Sequence, residues 1–303
     1  MFDLLGIGAN SIDFVYRLPA YPEPGGLRSK LRIQNYERSP GGQTATMLAA
    51  CAALGLSAAY VGTISSDENG SMVRGALERC GVDVSRAVLR DAPNPFAVVL
   101  VAEADGGGGN AERIVLWDRD PGMRLTPDDL PREIGGLARL VHVDDVDIDA
   151  AIAAARAGRE AGIPVTSDIE LAAPRTPDLV DAVSVPIFAE HVPQVLTGEP
   201  DLEAALRAIR RRHAGLLCAT RGRSGAALLA GDRFIEQGAF AVDAVDTTGA
   251  GDVFRAGFAC ALLRGDSPAG ILRFACAAAA VSCTRRGAIA SVPTPAEVSR
   301  LLR

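Results

Sequence analysis

Short apolar runs of strand length alternate with longer segments of helical period along most of this chain, and that alternation limits the fold more than any other feature. Residues 4–8, 58–64, 140–143, 164–169, 183–189 and 215–219 read as strands, being too short for helices and bounded by turn residues. Between them, residues 70–80, 149–161, 202–212, 254–263 and 269–283 read as helices. A further helix opens at Gly41 and Gly42 and runs to Leu54, with Met47, Leu48, Cys51 and Leu54 at helical spacing. Thr294, Pro295 and Glu297 make a capping box with proline in the first turn, which starts a last helix. Apolar strands separated by helices predict a mostly parallel sheet covered on both faces. At 303 residues and 48% hydrophobic, the chain has enough core for one α/β domain over residues 1–303.

Two stretches, residues 14–40 and 93–119, break the pattern. Residues 12–16 stay strand-like, and 28–38 mix charges with Ile and Tyr as an exposed strand would. Residues 96–103 and 113–118 read as a hairpin around a glycine-rich turn at 106–110. Both insertions are expected to join in one small β-lid, whose ribbon edges invite pairing with a second copy as a homodimer.

Composition removes several functions. A net charge of −6 without basic clusters disfavours nucleic acid and anionic membranes, and Arg210, Arg211 and Arg212 read as a solvated helix end. No apolar run is long enough to span a membrane, and the first ten residues lack the positive region of a signal peptide, so a cytoplasmic location is expected. Six cysteines without a C-x-x-C pair read as free thiols. The only lysine, Lys30, precedes Leu31 and follows no phosphate-loop glycines, which excludes P-loop and protein-kinase chemistry. Gly6-x-Gly8 lacks both the third glycine and the following helix of a dinucleotide-binding turn. His142, His191 and His213 have no nucleophile in a recognisable motif and read as structural.

The chemistry concentrates in Asp246-Thr247-Thr248-Gly249-Ala250-Gly251-Asp252, which leads into an apolar helix. Gly249, Ala250 and Gly251 have little or no side chain, so their N–H groups can converge on an anion where the helix dipole also favours it. Phosphoryl transfer relies on such charge stabilisation, and Asp252 at the rim is placed to take a proton from an attacking hydroxyl. An isolated Gly-Ala-Gly-Asp would read as a capped tight turn; the full seven-residue run, its two threonines and its place late in an α/β chain favour the anion hole.

That run, with Phe254, Gly257 and Phe258 behind it, resembles the C-terminal signature of the ribokinase-like (PfkB-type) carbohydrate kinases, and the resemblance extends over the whole chain. It implies a Rossmann-like α/β sandwich with a small β-lid. It implies Asp252 as catalytic base and Gly249, Ala250 and Gly251 as the anion hole. Asp13, with Gly8 on the first strand, and the Gly41-Gly42 turn would hold the acceptor. Gln43 lies beside those glycines, and Thr46 occupies a place where the family often has Asn. Thr220-x-Gly222-x-x-Gly225 resembles the nucleotide turn, with Thr248 nearby, and Gly287 and Pro293 fit the segment beside the adenine. ATP and Mg²⁺ are implied as cofactors. A monovalent cation such as K⁺ is implied at Asp246, Thr248, Gly287 and Ser291.

The sequence departs from the family at two places. The Asn and Glu of the N-x-x-E that organises Mg²⁺ fall at Ala189 and Val192, with Glu190 shifted; Glu170 and Asp168 are the substitutes considered. Thr46 offers one hydroxyl where an amide offers donor and acceptor, which points away from the hydroxyl pattern of ribose. Residues 112–119, the strand ending at Glu170 and residues 185–196 look closest to the ketohexokinase-like branch, so a ketose or modified ketose is expected. Arg113 and Arg119 in the lid are candidates to meet an anionic substituent. The alternatives are a nucleoside kinase, for which Tyr16, Tyr36, Phe96 and Trp117 are the available stacking rings, and a catalytically silent sugar or nucleotide sensor.

Overall fold

The structure is a computed structural model that describes residues 1–102 and 112–303, the side chains of Glu112 and Arg113 excepted. In chain order the first half contains β1 (Phe2–Ile7), β2 (Ser11–Leu18), β3 (Asn35–Gly41), α1 (Gln43–Ala53), β4 (Ala58–Val61), β5 (Thr63–Ser65), α2 (Glu68–Arg79), β6 (Val88–Arg90), β7 (Phe96–Ala102) and β8 (Glu112–Asp118). The second half contains β9 (Ala138–Asp144), α3 (Ile148–Glu160), β10 (Val165–Asp168), α4 (Thr176–Ala182), β11 (Ile187–Ala189), α5 (Val192–Thr197), α6 (Leu202–Arg210), β12 (Leu217–Thr220), β13 (Ala226–Ala230), β14 (Arg233–Gln237), α7 (Ala250–Arg264), α8 (Pro268–Ser282) and α9 (Pro295–Leu301).

The central sheet runs β4-β1-β9-β10, all parallel, and continues as β11-β12-β13-β14 through parallel bridges from Thr166 to Val185 and Ile169 to Phe188. β11 and β12 are parallel; only β13 and β14 turn antiparallel. Side chains alternate between the two faces, as the strand period of two requires. Leu5, Ile7, Val141 and Val143 pack into one apolar cluster with Ala151 and Ala154 of α3, Leu179 of α4 and Leu206 of α6. Leu4 and Leu140 pack on the other side with Met47 and Leu48 of α1, Leu77 of α2 and Val253 and Ala256 of α7. Each such fully buried aliphatic side chain contributes about 1.5–3 kcal/mol. Gly257 allows α7 to rest on α8: a Cβ there would stand 2.9 Å from the Cα of Ala275.

A separate four-stranded sheet, ordered β3-β2-β7-β8, is built from the two stretches that break the alternation. Its apolar face buries Val15, Ala97 and Val99. The chain enters it beside a buried amide pair. Asn10 donates to the Tyr60 hydroxyl (2.9 Å) and the Thr63 carbonyl (2.6 Å), and accepts from the Asn94 side chain (3.0 Å). Asn94 also accepts from the Ser65 N–H, so both connections to the outer sheet are pinned to the central one.

Several expected boundaries move. Residues 28–38 are not one strand: Leu27–Ser29 form a 3-10 turn and β3 begins only at Asn35. The strand expected over 183–189 shortens to Ile187–Ala189, because proline at 186 breaks it. Helix α7 starts at Ala250 rather than at 254, since Gly249 in a left-handed conformation (φ 75°) ends the preceding loop. The helices α4 and α5 were not expected; each is short, with proline in its first turn. The glycine-rich turn at 106–110 lies outside the described residues.

Replacing Asn94 by Ala would leave the Asn10 oxygen buried without its donor, so we expect Asn94→Ala to lose about 1–3 kcal/mol in urea unfolding. Wild-type stability in that variant would show that the amide pair does not tie the two sheets together.

Candidate active site

The C-terminal ends of the parallel strands share one edge of the sheet, and charges from it, Asp144 and Glu170, act on Asp252 together with Asp13 of β2. Gly249 caps α7, which puts Ala250, Gly251 and Asp252 in its first turn. Helix geometry leaves the first N–H groups without intrahelical partners. The Ala250 N–H turns back to the Thr247 carbonyl (3.2 Å), so the amides of Gly251 and Asp252 are the ones aimed out of the helix end. Side chains would not fit beneath: a Cβ on Gly249 would stand 3.0 Å from the Ala288 Cβ and 3.2 Å from the Thr46 methyl. Thr46 itself is completely buried under this turn, and its hydroxyl has no partner among the described residues.

Asp246 closes the turn. One of its oxygens accepts from the N–H and hydroxyl of Thr248 (2.9 and 2.7 Å), the other from the Gly287 N–H (3.0 Å). Despite burial, these bonds hold its carboxyl below the usual range. Asp246, Thr248 and Gly287 are thus brought together, while the Ser291 hydroxyl donates to the Ala288 carbonyl within the same loop.

Across the edge, the di-glycine turn does what its sequence requires. Gly42 has φ 97°, and a Cβ there would collide with the Asn10 backbone at 2.4 Å. A Cβ on Gly41 would stand 2.8 Å from an Asp13 oxygen, so the Asp13 carboxylate lies against that turn. Gln43, half-buried, begins α1 beside it. Gly222 (φ 51°) and Gly225 (φ 89°) shape the turn after β12, where the Thr220 hydroxyl donates to the Phe188 carbonyl (3.3 Å). Arg113 stands opposite Val101 in the β7–β8 register, and its side chain lies outside the described residues.

Other candidates are already engaged. Arg119 forms an ion pair with Asp147 (2.6 Å) and donates to the Met123 carbonyl (2.5 Å), so its charge is spent within the fold. Val192 is fully buried in the core and Glu190 is exposed, which leaves no N-x-x-E arrangement. Tyr16 and Tyr36 stack on each other, 5.2 Å between ring centres, while Trp117 is exposed. His142 is buried, its ring bonded to the Thr166 hydroxyl, and burial drives its pKa to about 3, so it stays neutral.

Burial raises several carboxyls here, those of Asp144, Asp145, Asp168 and Asp252; the one in the first turn of α7 is Asp252. Its surroundings push its carboxyl well above the usual range, first through burial and then through Glu170, Asp13 and Asp144; Arg255 acts in the opposite direction. Part of its surface still faces solvent. Asp168 is fully buried and ion-paired with Arg255, and so is not open to a metal ion.

A match to the family model described as "pfkB family carbohydrate kinase" covers residues 3–295. The chain belongs to the PfkB family of carbohydrate kinases. It is therefore a phosphotransferase with an alcohol acceptor, and its fold is that of ribokinase. Among curated members of the family, a fructokinase of Solanum tuberosum is 28% identical over 99% of this chain and 95% of its own length. A ribokinase of Arabidopsis thaliana is 30% identical over 99% of this chain and 81% of its own. The structure of Arabidopsis thaliana ribokinase complexed with ribose and ATP superposes with a TM-score of 0.83, at 28% identity, over 100% of this chain and 99% of that one. Among the described residues, no helix is long and apolar enough to cross a membrane.

Sequence reading missed three contributors: Asn10, Asp144 and Arg255. Arg255 left a signal, being the only charge between Asp252 and Arg264 in an otherwise apolar helix. Asp144 accepts from the Ala9 N–H (2.6 Å) and the Thr44 hydroxyl (2.8 Å), and a Cβ on Gly8 would strike its carboxyl at 2.1 Å.

Burial raises the Asp144 pKa from 3.8 to about 6, outweighing those hydrogen bonds. A carboxyl that holds its proton more tightly when folded favours the folded state most at low pH. That contribution fades as pH climbs from about 4 to about 6. We expect Asp144→Asn to flatten the stability profile over that window and to gain up to about 3 kcal/mol at pH 7 in urea unfolding. An unchanged slope would show that Asp144 ionises normally in the fold.

Proposed function

We propose that this PfkB kinase transfers the γ-phosphoryl group of ATP to a hydroxyl of a ketose or modified ketose, with Asp252 as general base. One observation carries the reading: the open first turn of α7, with Asp252 in it, faces the same space as Asp13 and its di-glycine turn. The family's fructokinase and ribokinase members support a sugar acceptor, and the ATP complex of the Arabidopsis protein supports the donor.

In this reading Asp13, Gly41, Gly42 and Gln43 orient the acceptor, and Arg113 of β8 is assigned to the same acceptor. Asp252 takes the proton of the attacking hydroxyl, the oxygen bonds to the γ-phosphorus, and the bond to ADP breaks. Gly249, Ala250 and Gly251 stabilise the charge on the transferring group, Gly251 donating its N–H directly. Thr220, Gly222, Gly225 and Thr248 line the nucleotide. The outer sheet acts as a lid that keeps water from competing as acceptor. Exposed Leu116 and Trp117 on its edge strand β8 support pairing with a second copy.

Mg²⁺ would arrive on the phosphates of ATP, where it neutralises charge. The described residues hold no group of three or more His, Cys, Asp or Glu suited to a metal ion, and Asp168 is closed off by Arg255. Asp246 has both oxygens engaged in closing its loop.

The test is ADP release from ATP and Mg²⁺ over a panel of ketoses, aldoses, sugar acids and nucleosides. We expect turnover to be highest on a ketose and to fall about 10²–10⁴-fold in Asp252→Asn with the fold intact. Near-wild-type turnover in that variant would remove Asp252 as the base. Preference for a nucleoside would overturn the substrate class and leave the base standing.

A further inference from the structure

Arg255 is an expensive residue in its setting. It sits on α7 one turn beyond Asp252, on the same helix face, and only 2% of its side chain is exposed. Its guanidinium is ion-paired with Asp168 at the end of β10. The same group presses on the anion-hole turn: a Cβ on Gly251 would stand 2.8 Å from its Nη1. Its Nε has no hydrogen-bond partner among the described residues, and neither Asp168 oxygen makes a directed hydrogen bond there. The pair is thus held by charge at short range, and part of the guanidinium's hydrogen-bonding capacity is unused.

The charges around it are uneven. From β10 and the residues after it come Asp168 and Glu170; from β9 and its continuation come Asp144, Asp145 and the neutral His142; from β2 comes Asp13. Helix α1 faces α7 with Thr46 and Cys51, and α8 faces it with Ala275 and Ala278, none of them charged. Among the described residues, Arg255 is the one cation among the strongest influences on Asp252.

We propose that Arg255 is a positioning residue for phosphoryl transfer, whose buried guanidinium, clamped by Asp168 beneath Gly251, supplies the countercharge that keeps Asp252 available as a base among the surrounding carboxylates. The inference rests on the reading of Asp252 as the base. It assigns Asp168 a role as well: the aspartate fixes the guanidinium in place and partly offsets its field.

Carboxyl titration tests this without knowledge of the acceptor. Protein labelled with ¹³C in its aspartate carboxyls is titrated by NMR, and the Asp252 signal is assigned by its absence from Asp252→Asn. In Arg255→Met we expect the Asp252 midpoint to rise by about 1–3 pH units. In Asp168→Asn, nearly isosteric, it should fall, because a neighbouring negative charge is gone. In Arg255→Lys, which keeps the charge, it should stay near wild type. A merely structural role predicts no such opposed pair of shifts. Unmoved midpoints, or shifts of one sign in both Arg255→Met and Asp168→Asn, would overturn the proposal. If Arg255→Met does not fold, Arg255→Gln takes its place under the same criterion. ADP release by Asp252→Asn separates the two readings: activity there removes the base itself, whereas an inactive Asp252→Asn with unmoved midpoints removes only the role of Arg255.

Discussion

A parallel sheet buried on both faces brings the C-terminal ends of its strands to one edge, and the chemistry of this protein depends on that convergence. The edge collects Asp144 at the end of β9, Asp168 at the end of β10 with Glu170 just beyond it, and Thr220 at the end of β12, from segments far apart in the chain. Helix α7 then lays its N-terminal turn across the same edge, packed against α1 and α8. Side chains at Gly249 and Gly257 would keep it from sitting so close.

Convergence creates an electrostatic problem along with the site. Carboxylates that bind and activate a hydroxyl repel one another when gathered in partly buried space, and each is driven toward its neutral form. The fold answers with one deeply buried arginine and its own aspartate. Removing one partner of such a pair costs about 3–5 kcal/mol, because the other is left charged without solvent. In the proposed mechanism the pair's place beneath Gly251 gives it a service beyond stability.

Much of the architecture was legible in the chain. Strand-length apolar runs at 4–8, 58–64 and 140–143 became β1, β4 and β9 because buried parallel strands carry no polar alternation. The unexpected elements have physical reasons. β13 reads Ala-Ala-Leu-Leu-Ala, an apolar run that periodicity cannot assign to strand or helix, and its place is set by pairing with β12. Helices α4 and α5 are too short for their period to show. In the site, the seven-residue run at 246–252 was visible because its glycines have no purpose outside a close approach. Thr46 was visible as well, but its completely buried position beneath Gly249 was not.

The sequence by itself determined the layered α/β class and the family to which the chain belongs, and it marked the glycine turn with Asp252 behind it. These are local properties: period, backbone freedom and motif are written in consecutive residues. Tertiary structure alone decided that Arg119 is spent on Asp147, that Asp168 answers Arg255 and so is closed to metal, and that Asn10 and Asn94 fasten the outer sheet to the central one. Each is a pairing across 28 to 87 residues of chain. A charge or an amide in a sequence states only that it needs a partner; which partner it finds is settled by the packing that brings them together.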